Sequence, residues 1–427
     1  SRVIAENGYL KGRENLLGYN GFNRLVIPNS GTVLIMEYFL GFLEVKLQMF
    51  KYIVVGAGLS GAVVAERIAS QLNEKVLVVD RKPHIAGTCF DSKDENGILV
   101  HRYGGHLFRT ENEVVWSYLS QFTDWHYYQH RVLAWVDGKM VPLPFNFNSM
   151  DMVFPAELAS KLKEKLLNAY GLNTKVHVTK LIQSDDEDLR FLGEYVYEKV
   201  FIHYTLKQWG RRPEEMEPEA TINVPVLVGK DDRYYTARFQ GVPKQGYTQM
   251  VQRMLSHKNI KLMLNTDFLE LAEVKADGIY IMGKKYDGTI IYTGSLDELF
   301  GYRFGRLPFR SLDFRFETHD VEYYQGAATV HYPNSYDFTR IIEFKHIHPV
   351  DVKRTTICFE YPKEYTTEND ERYYPVLTKE SKATWLKYAD LAREYHVIPL
   401  GRVGEFKYYN MSEAVESALR AFNDIAK

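Results

Sequence analysis

Cysteine is nearly absent: the 427-residue chain has two, Cys89 and Cys358, far apart and in no CxxC or Cys/His cluster. This argues against a disulfide scaffold and a cysteine-built zinc site, so no metal is expected and a reducing cytoplasm is the simple reading. Excess charge is missing as well. Lys and Arg total 53 against 55 Asp and Glu, and no basic run is interleaved with aromatics, so there is no electrostatic footprint for nucleic acid. Long apolar runs are lacking. The best stretch near the start, TVLIMEYFLGF (32–42), is broken by Glu37 and reaches about half the ~20 residues needed to span a bilayer. No small-residue cleavage site follows it, which argues against a secretory leader, and stable membrane insertion is not expected. Repeats and low-complexity tracts are also absent, which argues against a solenoid.

Against this background, residues 52–69 stand out. YIVVGAGLSGAVVAERIA runs from an apolar strand pattern through Gly56, Gly58 and Gly61, in GxGxxG spacing, into a helical pattern. The first glycine permits the tight turn, the second lets backbone approach a pyrophosphate, and the third lets the helix pack on its strand. A second apolar run, KVLVVD, ends in Asp80, where a ribose hydroxyl needs an acceptor. FAD and NAD share this fingerprint. The loop RKPHIAGTCFD (81–91) and the segment HRYGGHLFRT (101–110) are insertions with no evident use in an NAD-only fold.

The remaining patterns divide the chain. Residues 1–48 show no clear periodicity and no evident partner for the strand at Tyr52, so they are expected to form an extension outside the fold, with a short peripheral anchor as the alternative. A dinucleotide-binding domain is expected in three pieces, 49–129, 242–300 and 380–427. Alternation about the Asp137-Gly138 turn, with Val-, Ile-, Thr- and Tyr-rich runs at 321–361, predicts a β-sheet domain in 130–148, 221–241 (with a lid) and 301–379. Helical periodicity at 156–170 and 192–209 predicts an inserted helical domain over 149–220. The expected fold class is α/β: a discontinuous Rossmann-like domain with an inserted helical domain and an antiparallel β-sheet domain.

In this order the segments resemble the UDP-galactopyranose mutase family, from about Met49 to Lys427. The blocks that carry the resemblance are RYGGHLFRT (102–110), LPFNFN (143–148), YTLKQWGR (204–211), RFQGVPKQGYT (238–248), YTGSLDELFGYRFG (292–305), FTRIIEFKH (338–346), YYPV (373–376) and GRVGEFKYYNM (401–411). The resemblance implies conversion of UDP-galactopyranose to UDP-galactofuranose by reduced FAD, whose N5 attacks the anomeric carbon as UDP leaves. It implies a flavin cradle of Gly56, Gly58, Gly61, Asp80, Gly87, Thr88, Tyr103, Gly104, His106, Leu107, Arg402, Tyr409, Asn410 and Met411. The final helix is expected to begin after Gly401 and Gly404, presenting N–H groups to the flavin. For the nucleotide sugar it implies Phe201, Tyr204, Thr205, Gln208 and Trp209 around uracil, and Arg340, Tyr234, Tyr374 and Tyr408 on the diphosphate. Arg340, His106, Tyr408, Tyr374 and Trp209 are the expected catalytic set, and the expected partners are the nucleotide sugar and a second copy of the chain.

An arginine inside the apolar run FTRIIEF is costly to bury without an anion. Either a ligand phosphate or an internal bridge to Glu343 or Glu405 would satisfy it. The chain also departs from the family at Asn223, in place of a second diphosphate arginine on the lid. It departs again at Asn410 for Asp, Arg109 for a second His, His331 for Asn, and Ala86-Gly87-Thr88 for GGN. These changes leave the sugar open between galactose, fucose and an N-acetylated galactose. An FAD-dependent amine or alcohol oxidase and a catalytically silent binding protein are the competing readings.

Overall fold

The computed structural model describes residues 49–215, 225–367 and 369–427, and the backbone of 24–26. A six-stranded sheet is parallel throughout, in the order Arg24–Val26, Ile260–Leu264, Val76–Val79, Tyr52–Val55, Thr289–Tyr292, Val397–Pro399. Its apolar runs are buried on both faces, and the strand period of two sends alternate residues into different cores. Val54, Val76 and Val78 meet the helices Leu59–Gln71, Tyr247–Met254 and Met411–Ile425. Ile53, Leu77 and Val79 meet Leu296–Leu299 and Lys379–Glu394. From Tyr52–Val55 the chain crosses to Val76–Val79 on one side, while the later strand Thr289–Tyr292 joins on the other, so a crevice opens at the carboxyl ends of the central strands, where doubly wound folds bind ligands.

Arg24–Val26 departs from the expectation for residues 1–48: it pairs in parallel with residues 262–264, whose outer backbone groups would otherwise form an open edge. The rest of that expectation falls outside the described residues.

A seven-stranded sheet runs in the order Tyr374–Pro375, Phe309–His319, Thr355–Glu364, Arg340–Glu343, Thr329–His331, Val132–Val136, Lys139–Leu143. It is antiparallel except where Thr329–His331 meets Val132–Val136. Of the segment 221–241, expected here, the described residues 225–241 go elsewhere. Pro225–Leu227 pairs with Lys175–His177, and Val226 and Val228 are buried among Leu162, Leu181 and Leu192 of the helical unit. Apolar burial in that core decides its position. Phe239–Pro243 instead joins Phe108–Thr110 and Trp125–His126 in a small sheet.

The stretch expected as one helix over 192–209 has a break of period. Glu187–Val196 runs into a five-residue π-helical turn, Tyr197–Phe201, before Ile202–Trp209. The wider turn changes the phase of everything after it, a feature common at functional sites. No helix among the described residues is long and apolar enough to cross a membrane.

Candidate active site

The glycine turn shapes an open groove of about 1380 Å³, lined by Gly56, Gly58, Gly61, Asp80, Gly87, Thr88, His106, Arg402, Tyr409, Asn410 and Met411. Gly56 has φ +109°, and a Cβ there would lie 1.9 Å from Thr293 Oγ1; a Cβ on Gly61 would lie 2.0 Å from the Gly56 carbonyl oxygen. The turn and the helix packing therefore need those two glycines. Gly58 is different. A Cβ there would meet little but the Gly87 Cα at 3.7 Å, so it keeps the groove floor bare. A backbone floor beside a helix N-terminus fits a dinucleotide pyrophosphate. Asp80 also ties the turn together, its carboxylate accepting from the Ala57 and Lys82 N–H groups at 2.7 and 2.8 Å.

Residues Gly401–Gly404 form a separate helical turn, with Gly401 N–H donating to Glu405 at 2.9 Å, and the last helix follows them as expected. The last helix starts at Met411. Asn410 caps it, accepting from Glu413 N–H at 3.0 Å while Glu413 accepts from Asn410 N–H at 2.8 Å. Asn serves here as Asp would.

The groove opens into a second cavity of about 860 Å³. His106, Tyr373, Arg402, Asn410 and Met411 line both, and Tyr103, Gly104, Leu107, Arg109, His130, Tyr235, Arg340, Glu360 and Tyr374 complete the second. Arg402 donates to the carbonyls of Tyr409 (2.6 and 2.9 Å) and Tyr373 (3.1 Å) rather than to a carboxylate. Arg109 lies flat over Tyr235, 3.7 Å from its ring centre, and has no ion-pair partner among the described residues. Three guanidinium groups thus share one cavity with a single carboxylate, Glu360, which leaves it suited to an anion.

Arg340 bonds through Nε to Glu360, directly opposite it on the neighbouring strand. This corrects the expected internal partners. Glu343 accepts instead from Thr355 and the Tyr324 and Gln325 N–H groups, and Glu405 from Gly401, Ser417 and Tyr409. Burial works against the Arg340 charge, but Glu360 and the nearby tyrosines outweigh it and hold the pKa well above the ordinary arginine value. Glu360 Oε1 has no hydrogen-bond partner. Nothing in the sequence marked Glu360 beyond its being an acid in the apolar strand ICFEYP; pairing across the sheet reveals it.

His106 donates from Nδ1 to the Gly104 carbonyl at 2.8 Å, leaving Nε2 as an acceptor. Burial, with the charges of Arg402 and Arg340, pushes its pKa down to about 4, so it is neutral near pH 7.

The expected substrate residues divide. Trp209, Tyr374 and Tyr408 pack together with ring centres 5.4 to 5.7 Å apart. Tyr204 stacks on His331 at 4.7 Å, and Tyr234 meets the same imidazole edge-on at 6.3 Å. Phe201 packs into the helical core behind the π-helical turn and Thr205 is buried; of the expected substrate residues Arg340 and Tyr374 line the second cavity, whereas Tyr204, Gln208, Trp209, Tyr234 and Tyr408 line neither cavity. Asn223 lies outside the described residues. Among those residues, no group of three or more His, Cys, Asp or Glu could hold a metal.

Comparison with known proteins decides the family. A family profile described as UDP-galactopyranose mutase matches residues 199–408, and one described as an NAD(P)-binding Rossmann-like domain matches residues 54–122. The "Probable UDP-galactopyranose mutase" of Klebsiella pneumoniae is 33% identical over 374 residues, 87% of this chain and 93% of that one. The chain belongs to the UDP-galactopyranose mutase family. The dTDP-fucopyranose mutase of Escherichia coli is 31% identical over 375 residues, 87% of this chain and 97% of that one. A crystal structure of reduced UDP-galactopyranose mutase has the same fold, with a TM-score of 0.69 at 16% identity over 88% of this chain and 93% of that one. The chain is accordingly a mutase on a flavoprotein-type fold, and the two cavities are where a flavin and a sugar nucleotide have to be sought.

Proposed function

We propose that the chain interconverts UDP-galactopyranose and UDP-galactofuranose, with reduced FAD in the glycine-floored groove and the sugar diphosphate in the second cavity. The observation that carries this reading is Arg340, a paired but partly exposed cation lining a cavity that joins the groove. Held by the glycine turn, Arg402 and the Asn410 end of the last helix, a reduced flavin would supply a nucleophile for the anomeric carbon.

The chain's own residues do the rest. Arg340, with the Tyr374 and Tyr408 hydroxyls, holds the diphosphate and stabilises its charge as UDP departs. Burial raises the Tyr204 pKa to about 12 and that of Tyr408 further, so both hydroxyls remain donors. Tyr204 offers its ring to uracil, and His106 presents a neutral acceptor between the two cavities. The Asn410 end of the last helix turns its positive end toward an anionic flavin. The two free, buried cysteines support a cytoplasmic protein, and a homodimer is the proposed assembly.

A second reading changes only the sugar. Arg109 holds unpaired donors in the cavity wall, which favours a sugar bearing an additional acceptor, such as an acetamido group. The fucose mutase at similar identity keeps dTDP-fucopyranose open as well.

The test is to identify the bound flavin, reduce it with dithionite, and follow UDP-galactofuranose, UDP-N-acetylgalactosamine and dTDP-fucopyranose by chromatography. Conversion of UDP-galactofuranose only in the reduced state is the expected result. Turnover of another sugar alone replaces the substrate, and peroxide release without isomerisation overturns the mutase reading.

A further inference from the structure

His101 lies outside both cavities, only 1% exposed, packed against Phe344 and Tyr247. Its Nδ1 accepts the backbone N–H of His106 at 3.0 Å, and its Nε2 lies 3.1 Å from Nε2 of His348. These two contacts fix its chemistry. An Nδ1 that accepts must be bare, so the proton sits on Nε2 and is donated to His348, whose own proton is then on Nδ1. On the other side of the same residue, the Tyr247 hydroxyl donates to the His106 carbonyl at 3.1 Å. His106 in turn donates its Nδ1 proton to Gly104. The main chain of His106 is therefore clamped at both its N–H and its C=O by buried side chains, and its ring is left with one free acceptor.

We propose that His101 is a positioning residue for the reaction, its tautomer set by His348, holding the His106 main chain where the groove meets the sugar cavity. The proposal rests on the reading above that a flavin occupies the groove. A filler residue would need only shape at this position; His101 uses one nitrogen as an acceptor and the other as a donor, and interchange of the two would set N–H against N–H. A small displacement of His106 moves a group lining both cavities, and outer-shell partners of this kind commonly contribute ten- to hundredfold in metal sites, where they are best measured.

The experiment compares the flavin-loaded wild type with His101→Asn and His101→Leu. Asn Oδ1 can take the place of Nδ1 as acceptor; Leu fills the space without one. The expected result is a fall of about tenfold in kcat for Leu with KM within about twofold, a shifted flavin midpoint potential, and substantial recovery of both with Asn. Equal behaviour of Asn and Leu overturns the proposal in favour of packing alone. Should the Leu variant fail to fold, long-range proton–nitrogen NMR of the wild type decides. Nε2–H on His101 with Nδ1–H on His106 and His348 supports the clamp, and Nδ1–H on His101 removes it. A wild type without bound flavin overturns the functional reading, while the NMR pattern still decides whether His101 clamps His106.

Discussion

The groove takes its floor from main chain, with Gly58 and Gly87 keeping side chains out of it. The cavity beside it is walled by long side chains, Arg109, Tyr235, Arg340, Glu360 and Tyr374, drawn from distant parts of the sequence. A backbone floor admits any dinucleotide of the right shape and tolerates almost no substitution. A side-chain wall can be rewritten one residue at a time, and the departures Arg109 and His331 lie in or near that wall, whereas Asn410 keeps its capping role. Departures fall on both sides, Ala86 and Thr88 in the groove and Arg109 in the cavity, but only the cavity gains a new charge in its wall.

The largest expected effect breaks the groove alone. Gly58→Val adds a branched side chain to the floor, and its Cβ meets only ordinary contacts, so the protein should fold and retain no flavin. Visible absorbance per chain measures this, and full flavin content in the folded variant would contradict the assignment. Arg340→Ala should do the reverse. It strands Glu360 and removes the diphosphate cation, so kcat/KM should fall by about 10²–10³ while flavin content stays unchanged. Wild-type turnover in that variant would move the diphosphate site away from the cavity.

A smaller effect concerns acid. Burial depresses the pKa of His106 and His348 to about 4 and of His130 to about 3, and holds those of His101 and His331 well below the ordinary histidine value. Unfolded histidines titrate near pH 6.5, so between that value and the folded pKa the unfolded chain binds more protons. The stability from these neutral rings is complete above pH 6.5 and is lost as pH falls, by up to about 1.4 kcal/mol per pH unit for each histidine. His346 opposes this trend: burial lowers its pKa, but Glu343 outweighs burial and raises it. Denaturant midpoints at pH 7, 6 and 5 should fall in that order. A flat profile would show that these rings are not held neutral.

Legibility followed the same division. The strand, turn and helix of residues 52–71 and the hairpin at 132–143 were readable because neighbours in sequence make them. The substrate side was readable as residues but not as geometry. Arg340 was conspicuous as a charge in an apolar strand, yet its partner Glu360 was not, since strand register alone brings them opposite. Phe201 was assigned to the nucleotide slot by the family resemblance, and behind the π-helical turn it packs into the helical core. Residues 225–241 were assigned to the wrong neighbours because short apolar runs do not identify the core they enter.

By itself the sequence determined the dinucleotide turn and the α/β class, and through the family resemblance some of the residues that line the two cavities. Periodicity and glycine spacing are local, and local backbone sterics act before any long-range contact forms. Only the tertiary structure decided that Glu360 answers Arg340, that Arg109 stands over Tyr235, and that His101 holds the His106 N–H. Each depends on chain segments meeting through strand register or buried packing, which no short window of sequence contains.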